Sequence, residues 1–198
     1  MITNSELKYI KKLGRKRYRD LYSHFVVEGQ KVFKDFFASN IPIFKSYSTK
    51  KIRGQNNIIV SDNCMKRMTF LKNSSDVLGI FSIPKRKRAP VNTKVLVLDN
   101  VSDPGNLGSI IRLCDWFGFE NIVCSEKTVD CYNPKVVQSS MGSLARVNIF
   151  YEDLKSYLSK VSIPVYGTFL NGEFVNRVTF PNKFVFFPVY ITFVVKVP

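Results

Sequence analysis

Asn106, Gly108 and Arg112 stand in the stretch Asp103-Pro-Gly-Asn-Leu-Gly-Ser-Ile-Ile-Arg112, and their types and spacing suit the capture of an anionic ligand. A guanidinium presents five donors in a planar fork that matches the paired oxygens of a phosphate or carboxylate. Gly108 precedes Arg112 by four residues, so on a helix the two share a face. Bare backbone beside the cation predicts room for a ligand there. Asp103 is placed to cap the helix, and Gly105, Asn106 and Ser109 complete its loop and first turn. A solvated Arg on an outer face is the bland alternative.

Such residues need a rigid mount. Val95 to Leu98 is an unbroken apolar run, which predicts a strand buried on both faces. Asp103, Pro104, Gly105 and Asn106 are turn and cap residues. Leu107, Ile110, Ile111, Cys114 and Phe117 then recur at helical spacing, and Gly118 predicts the C-cap. In open α/β sheets, functional loops lie at strand C-termini, where this one falls. Downstream, strands are expected over 121–124, 147–150, 163–168 and 180–187, with helices over 133–140 and 152–160. Strands alternating with helices predict a parallel, helix-covered sheet, hence an α/β fold.

Charge divides the 198 residues unequally: residues 1–90 hold 20 Lys and Arg against 6 Asp and Glu, a net of +14, while 91–198 hold 10 against 9. An excess confined to one half marks a polyanion-binding region, and nucleic acid fits it. A membrane does not, because the basic segments lack a lipid-seeking apolar face and no apolar run is long enough to span a bilayer. Lys8, Lys11, Lys12, Arg15, Lys16, Arg17 and Arg19 crowd helices predicted over 5–13 and 15–22, with Tyr9, Tyr18 and Tyr22 among them. Arg15, Lys16, Arg17 and Arg19 are therefore the expected RNA contacts, and the tyrosines suit base stacking as well as packing. Cys64, Cys114, Cys124 and Cys131 form no C-x-x-C pair and His24 is the one histidine, which argues against zinc and fits a reducing cytoplasm.

Asn106-x-Gly108-x-x-x-Arg112, preceded by Asp99-Asn100 and Pro104, resembles the first motif of the SpoU, or TrmH-type, RNA ribose 2′-O-methyltransferases of the SPOUT superfamily. The resemblance runs from about 15 to about 187. In front of it, Phe25-x-Val27-Glu28-Gly29 and 77–84 resemble the small α+β substrate-recognition domain many members carry, with Glu28 and Gly29 read as structural. The division expected is a recognition domain over 1–84, a linker over 85–92, a partial SPOUT domain over 93–187 and a divergent apolar tail over 188–198.

The resemblance implies S-adenosylmethionine as methyl donor, rRNA or tRNA as substrate, a homodimer, Arg112 as the base, Asn106 as the hydrogen-bond partner of the ribose or the Arg, and Asp103, Gly105, Gly108 and Ser109 as the substrate loop. Ser139-Ser140-Met141-Gly142-Ser143 is similar to a small-residue segment near the family's active centre, although small residues also permit close packing. Gly167-Thr168-x-x-x-Gly172 ends a predicted strand in a turn where the family begins its donor pocket, which makes Thr168 and Gly172 the expected cofactor contacts. The family's later motifs, a Gly-Asn-Glu-Gly-like loop and a Ser/Asn/Leu-rich segment that thread the knot, are not found. Truncation or a frameshift near Phe187 is expected, with the donor pocket and dimerisation compromised. A non-catalytic RNA-binding protein is the alternative function. A KH clamp at Gly105 to Gly108 fails because a strand, not a helix, precedes it.

Overall fold

The computed structural model describes residues 2–52, 56–85, 88–188 and 194–196. The chain runs α1 (Asn4–Lys12), α2 (Lys16–Tyr22), β1 (His24–Glu28), α3 (Gln30–Phe37), β2 (Ile43–Ser48), β3 (Ile58–Ile59), α4 (Asp62–Met68) and β4 (Val77–Ser82). It continues through β5 (Val95–Leu98), α5 (Pro104–Trp116), β6 (Asn121–Cys124), α6 (Pro134–Ser139), β7 (Asn148–Tyr151), α7 (Leu154–Leu158), β8 (Val165–Phe174), β9 (Val185–Phe187) and β10 (Val194–Lys196).

The front sheet has the order β1-β4-β2-β3, antiparallel except for β2 with β3. Its two faces bury different things. Val26, Tyr47, Leu78 and Ile80 pack under Leu7, Ile10 and Leu13 and under Met65 and Met68 of α4. On the reverse face Phe25, Val27, Val77 and Phe81 meet Val32, Phe33 and Phe36 of α3. That second layer does not stop at the front half: Leu107 and Ile111 of α5, Val136 and Val137 of α6 and Leu144 belong to the same cluster. Each such buried aliphatic contributes about 1.5–3 kcal/mol.

The back sheet has the order β10-β8-β9-β5-β6-β7, parallel from β8 to β7, with β10 antiparallel on the edge. The expected parallel α/β class is what forms. Two expected elements differ. The strand expected to end at Thr168 runs on to Phe174, because Val194 pairs with Phe174 and Val195 with Thr168 and so supplies backbone partners beyond the expected end. The strand expected over 180–187 shrinks to β9, because Phe180 and Phe184 turn their rings onto Tyr166 in a separate cluster.

The expected linker is partly fixed. Ala89 N–H donates to Glu152 Oε1 at 2.7 Å, and the Tyr157 hydroxyl donates to the Pro90 carbonyl at 2.7 Å. Arg86 and Lys87 lie outside the described residues, as does most of the expected tail, of which only Pro188 and the backbone of Val194–Lys196 are described.

Candidate nucleic-acid interface

α5 carries the motif. Asp103 is its N-cap: Oδ1 accepts the Asn106 N–H at 2.8 Å, and Pro104 occupies the first helical position, where its missing N–H costs nothing. Gly105 lies beneath that carboxylate, where a Cβ would stand 3.0 Å from Oδ1. Leu107, Ile111 and Cys114 anchor the buried face, while Asn106, Ser109 and Arg112 are exposed on the other side.

Gly108 corrects the sequence reading. A Cβ there would fall 1.9 Å from Ser139 Oγ and 2.9 Å from the Ser139 carbonyl carbon, so the bare backbone is filled by α6 and leaves no space for a ligand. Ser139 is held in place by donating to the Lys135 carbonyl at 2.7 Å, and Ser140 is fully buried. For these two residues the close-packing alternative is the right one.

Room for a ligand lies on the other side of Arg112. An open cleft of about 920 Å³ is lined by Ser109, Arg112 and Trp116 of α5, Lys31 and Asp35 of α3, and Met141, Ser143 and Arg146. Here the small-residue segment does reach the cleft. Gly142 (φ 93) turns the chain against α3, where a Cβ would lie 2.0 Å from Asp35 Oδ2, and Met141 takes the left-handed region (φ 51). A non-glycine residue held there stores local strain of the kind found at ligand sites.

The cleft's free charge is positive. Arg146 donates to both oxygens of Asp115, at 2.7 Å from Nη2 to Oδ2 and 3.1 Å from Nε to Oδ1, and its Nη1 lies 3.7 Å from Asp35 Oδ1. Those hydrogen bonds hold the Asp115 carboxyl below the usual carboxylate range and raise the Arg146 guanidinium. One arginine is thereby shared between two acids, and only with Arg112 and Lys31 counted does the cleft become net positive. Arg112 and Lys31 form no ion pair among the described residues, and they are left to meet an outside anion.

Of the front-half contacts expected for RNA, Arg15, Lys16 and Arg17 are exposed, with Lys8, Lys11 and Lys12 beside them. Arg19 is not among them. It is 2% exposed, its Nε and Nη2 donate to Asp130 Oδ2 at 2.8 and 2.5 Å, and Nη1 donates to the Leu13 carbonyl at 2.9 Å. A buried guanidinium needs a carboxylate, and Asp130 of the back half supplies it. Glu28 is structural as expected, buried and accepting from the Phe70 N–H at 2.8 Å.

Residues 93–187 match the SpoU rRNA Methylase family, and residues 4–79 match the MRM3-like substrate binding domain. Across its back half, residues 93–187, the chain carries a SpoU rRNA methylase domain. It is 27% identical over 179 residues to the 23S rRNA (guanosine(2553)-2′-O)-methyltransferase RlmP of Bacillus subtilis, covering 85% of this chain and 72% of that one. It is 30% identical over 152 residues to the mitochondrial rRNA methyltransferase 3 of Xenopus laevis, covering 68% of this chain but only 36% of the frog protein. Among solved structures, a putative TrmH-family RNA methyltransferase from Porphyromonas gingivalis superposes with a TM-score of 0.81 at 27% identity, over 95% of this chain and 81% of that one. An AdoMet-bound rRNA methyltransferase from Sinorhizobium meliloti gives 0.79 at 25% identity, over 95% and 78%.

The turn expected to begin the methyl-donor pocket does not form. Thr168 is buried and Gly172 exposed, both within the continuous strand β8 rather than in a turn, and Gly167 and Thr168 are paired in register with Lys196 and Val195. No helix of the described residues is long and apolar enough to cross a membrane. Lys31, Asp35, Asp115 and Arg146 were not foreseen from sequence. Asp115 had a faint signal, lying one helical turn from Arg112, whereas Asp35 and Arg146 meet only because the two halves pack together.

Proposed function

We propose that this protein binds ribosomal RNA along its basic front half and, in the Arg112 cleft, positions a ribose 2′-hydroxyl for methylation, the reaction named for its relatives. The single observation that carries the reading is the cleft itself: two unpaired cations, Arg112 and Lys31, placed between the substrate-domain helix α3 and the motif helix α5.

Arg112 clamps a phosphate of the bound strand by paired hydrogen bonds, its ordinary chemistry at neutral pH. Asn106, one turn before Ser109 on the exposed face, contacts the ribose, and Ser109 lines the wall beside Arg112. Asp103 and Gly105 shape the loop. A sugar held between the Arg112 cation and the Asn106 amide gains the orientation that methyl transfer to a poorly acidic hydroxyl requires. Gly108 acts through packing alone.

Incorporation of labelled methyl groups from S-adenosylmethionine into rRNA, lost in Arg112→Ala without loss of folding, is the expected result. Unchanged incorporation in Arg112→Ala overturns the assignment. A second reading, RNA binding without transfer, is favoured by β10 lying along the strand that would begin the donor pocket. RNA binding with no incorporation selects it.

The working division is a recognition unit over 1–84, a linker over 85–92, a methyltransferase unit over 93–187 and a tail over 188–198. Leu113, Trp116 and Phe117, exposed by 56, 84 and 64%, support a second copy of the chain against α5. Trp116→Glu should then shift the sedimentation of the protein to the monomer. Four cysteines that form no disulfide among the described residues fit a reducing compartment such as the cytoplasm.

A further inference from the structure

Five rings form a continuous surface ladder on the outer side of the front half. Tyr18 stacks on Tyr22 with centroids 6.3 Å apart, Tyr22 meets the edge of Tyr9 at 5.0 Å, Tyr9 meets His24 at 6.4 Å, and His24 stacks on Phe44 at 4.3 Å. They come from α1, α2, β1 and β2, so a local helix pattern does not account for the alignment. Phe44 ends the ladder, 55% exposed, and an open cavity of about 460 Å³ is bounded by Tyr9, Tyr22, His24 and Phe44.

A packing role covers part of this. Tyr9 and Tyr22 border the cluster beneath α1, and the Tyr9 hydroxyl is hydrogen-bonded to His24 Nδ1 at 2.6 Å. Phe44 is different: among the described aromatic residues its ring touches only Tyr9 and His24, and more than half its surface faces solvent. Cations flank the ladder rather than acids. Lys12 Nζ lies 5.2 Å from the Tyr18 ring centroid and Arg17 lies 5.8 Å from it. The acid in the cavity, Glu6, is ion-paired with Lys45 and bonded to the Thr3 N–H.

Partly exposed rings ending in the open Phe44, beside a row of cations, match one ligand chemistry: a single strand whose phosphates meet the cations while its unstacked bases lie on the rings. We propose that the Tyr18–Tyr22–Tyr9–His24–Phe44 ladder is a stacking platform for unpaired bases, with Phe44 as its outermost contact, so that the front half selects single-stranded or looped RNA over duplex. This rests on the RNA-binding reading above and adds to it the substrate feature that is recognised.

The test measures binding of the full chain to a fluorescein-labelled 12-nucleotide RNA of mixed sequence, single-stranded and annealed to its complement, across a range of salt concentrations. Wild type should prefer the single strand. Phe44→Ala should weaken single-strand binding about tenfold, leaving duplex binding and the salt slope unchanged. Phe44→Trp should restore it, and a circular dichroism melt equal to wild type shows the loss is not unfolding. Equal weakening for both RNAs, or no effect of Phe44→Ala on a wild type that binds RNA with a steep salt slope, overturns the platform alone. Failure of wild type to bind either RNA overturns the platform and the RNA-binding reading together.

Discussion

In the front half the cations from Lys8 to Arg17 stand exposed around α1 and α2, and the one carboxylate paired with them, Asp20, is 3.8 Å from Lys16 on an open surface. In the back half Arg146 is tied to Asp115 and Asp35, and Asp130 is tied to the buried Arg19. The same guanidinium chemistry thus serves two ends. Where the cation is exposed and unpaired, its field reaches an incoming polyanion. Where it is paired with carboxylates, it holds parts of the protein together, and where it is also buried, as at Arg19, it is unavailable to RNA. Arg19 shows that membership in a basic run does not decide which of the two occurs.

The sharpest way to break this contrast is at Arg19. Arg19→Met or Asp130→Ala leaves one charge buried without its partner and should destabilise the fold by about 3–5 kcal/mol, read by urea denaturation. The salt slope of RNA binding by the folded protein should stay as in wild type. A reduced slope at full stability would instead return Arg19 to the RNA surface.

Next comes the packing of α5 on α6. Gly108→Ala drives a methyl into Ser139 and should cost about 1–3 kcal/mol, with Ser139→Gly recovering only part because the Ser139 carbonyl carbon also stands within 2.9 Å of the added Cβ. A neutral Gly108→Ala would restore the idea of open space beside Arg112.

The exposed cations should give the mirror result. Changing Arg15, Lys16 and Arg17 together to Ala should leave the melting temperature almost unmoved, since they are exposed, yet flatten the salt dependence of RNA affinity. The slope should fall by roughly 0.7–0.9 for each phosphate the protein no longer neutralises.

The smallest effect concerns pH. Asp115 has a folded-state pKa lowered, chiefly by the hydrogen bonds from Arg146. Its contribution is therefore present above the unfolded carboxylate value of about 3.9 and lost as pH falls through the lower folded value. With Arg146 half exposed, screening keeps the pair within about 1 kcal/mol. Asp115→Asn should lower stability slightly at pH 7 and shrink the gap to wild type below pH 4. A gap that widens on acidification would reverse the assignment.

Much of the back half was legible beforehand. Val95–Leu98 and Asn121–Cys124 form as expected because continuous apolar runs bounded by turn residues have few other ways to be buried, and Asp103 caps α5 because its side chain reaches a donor three residues away. Each of these is decided within a few residues. The length of β8 was not, since its partner strand lies some twenty residues downstream.

Sequence by itself determined the strand–loop–helix that carries Arg112, the placement of excess positive charge in the front half, and the SpoU resemblance of the back half, because these depend on local spacing and on residue counts. Only the tertiary structure decided that Gly108 is filled by Ser139, that Arg19 is buried on Asp130, and that Arg112 shares a cleft with Lys31 of the other half. Those outcomes depend on which distant groups meet. A cation exposed to water and one sealed against a carboxylate 111 residues away are written with the same letter.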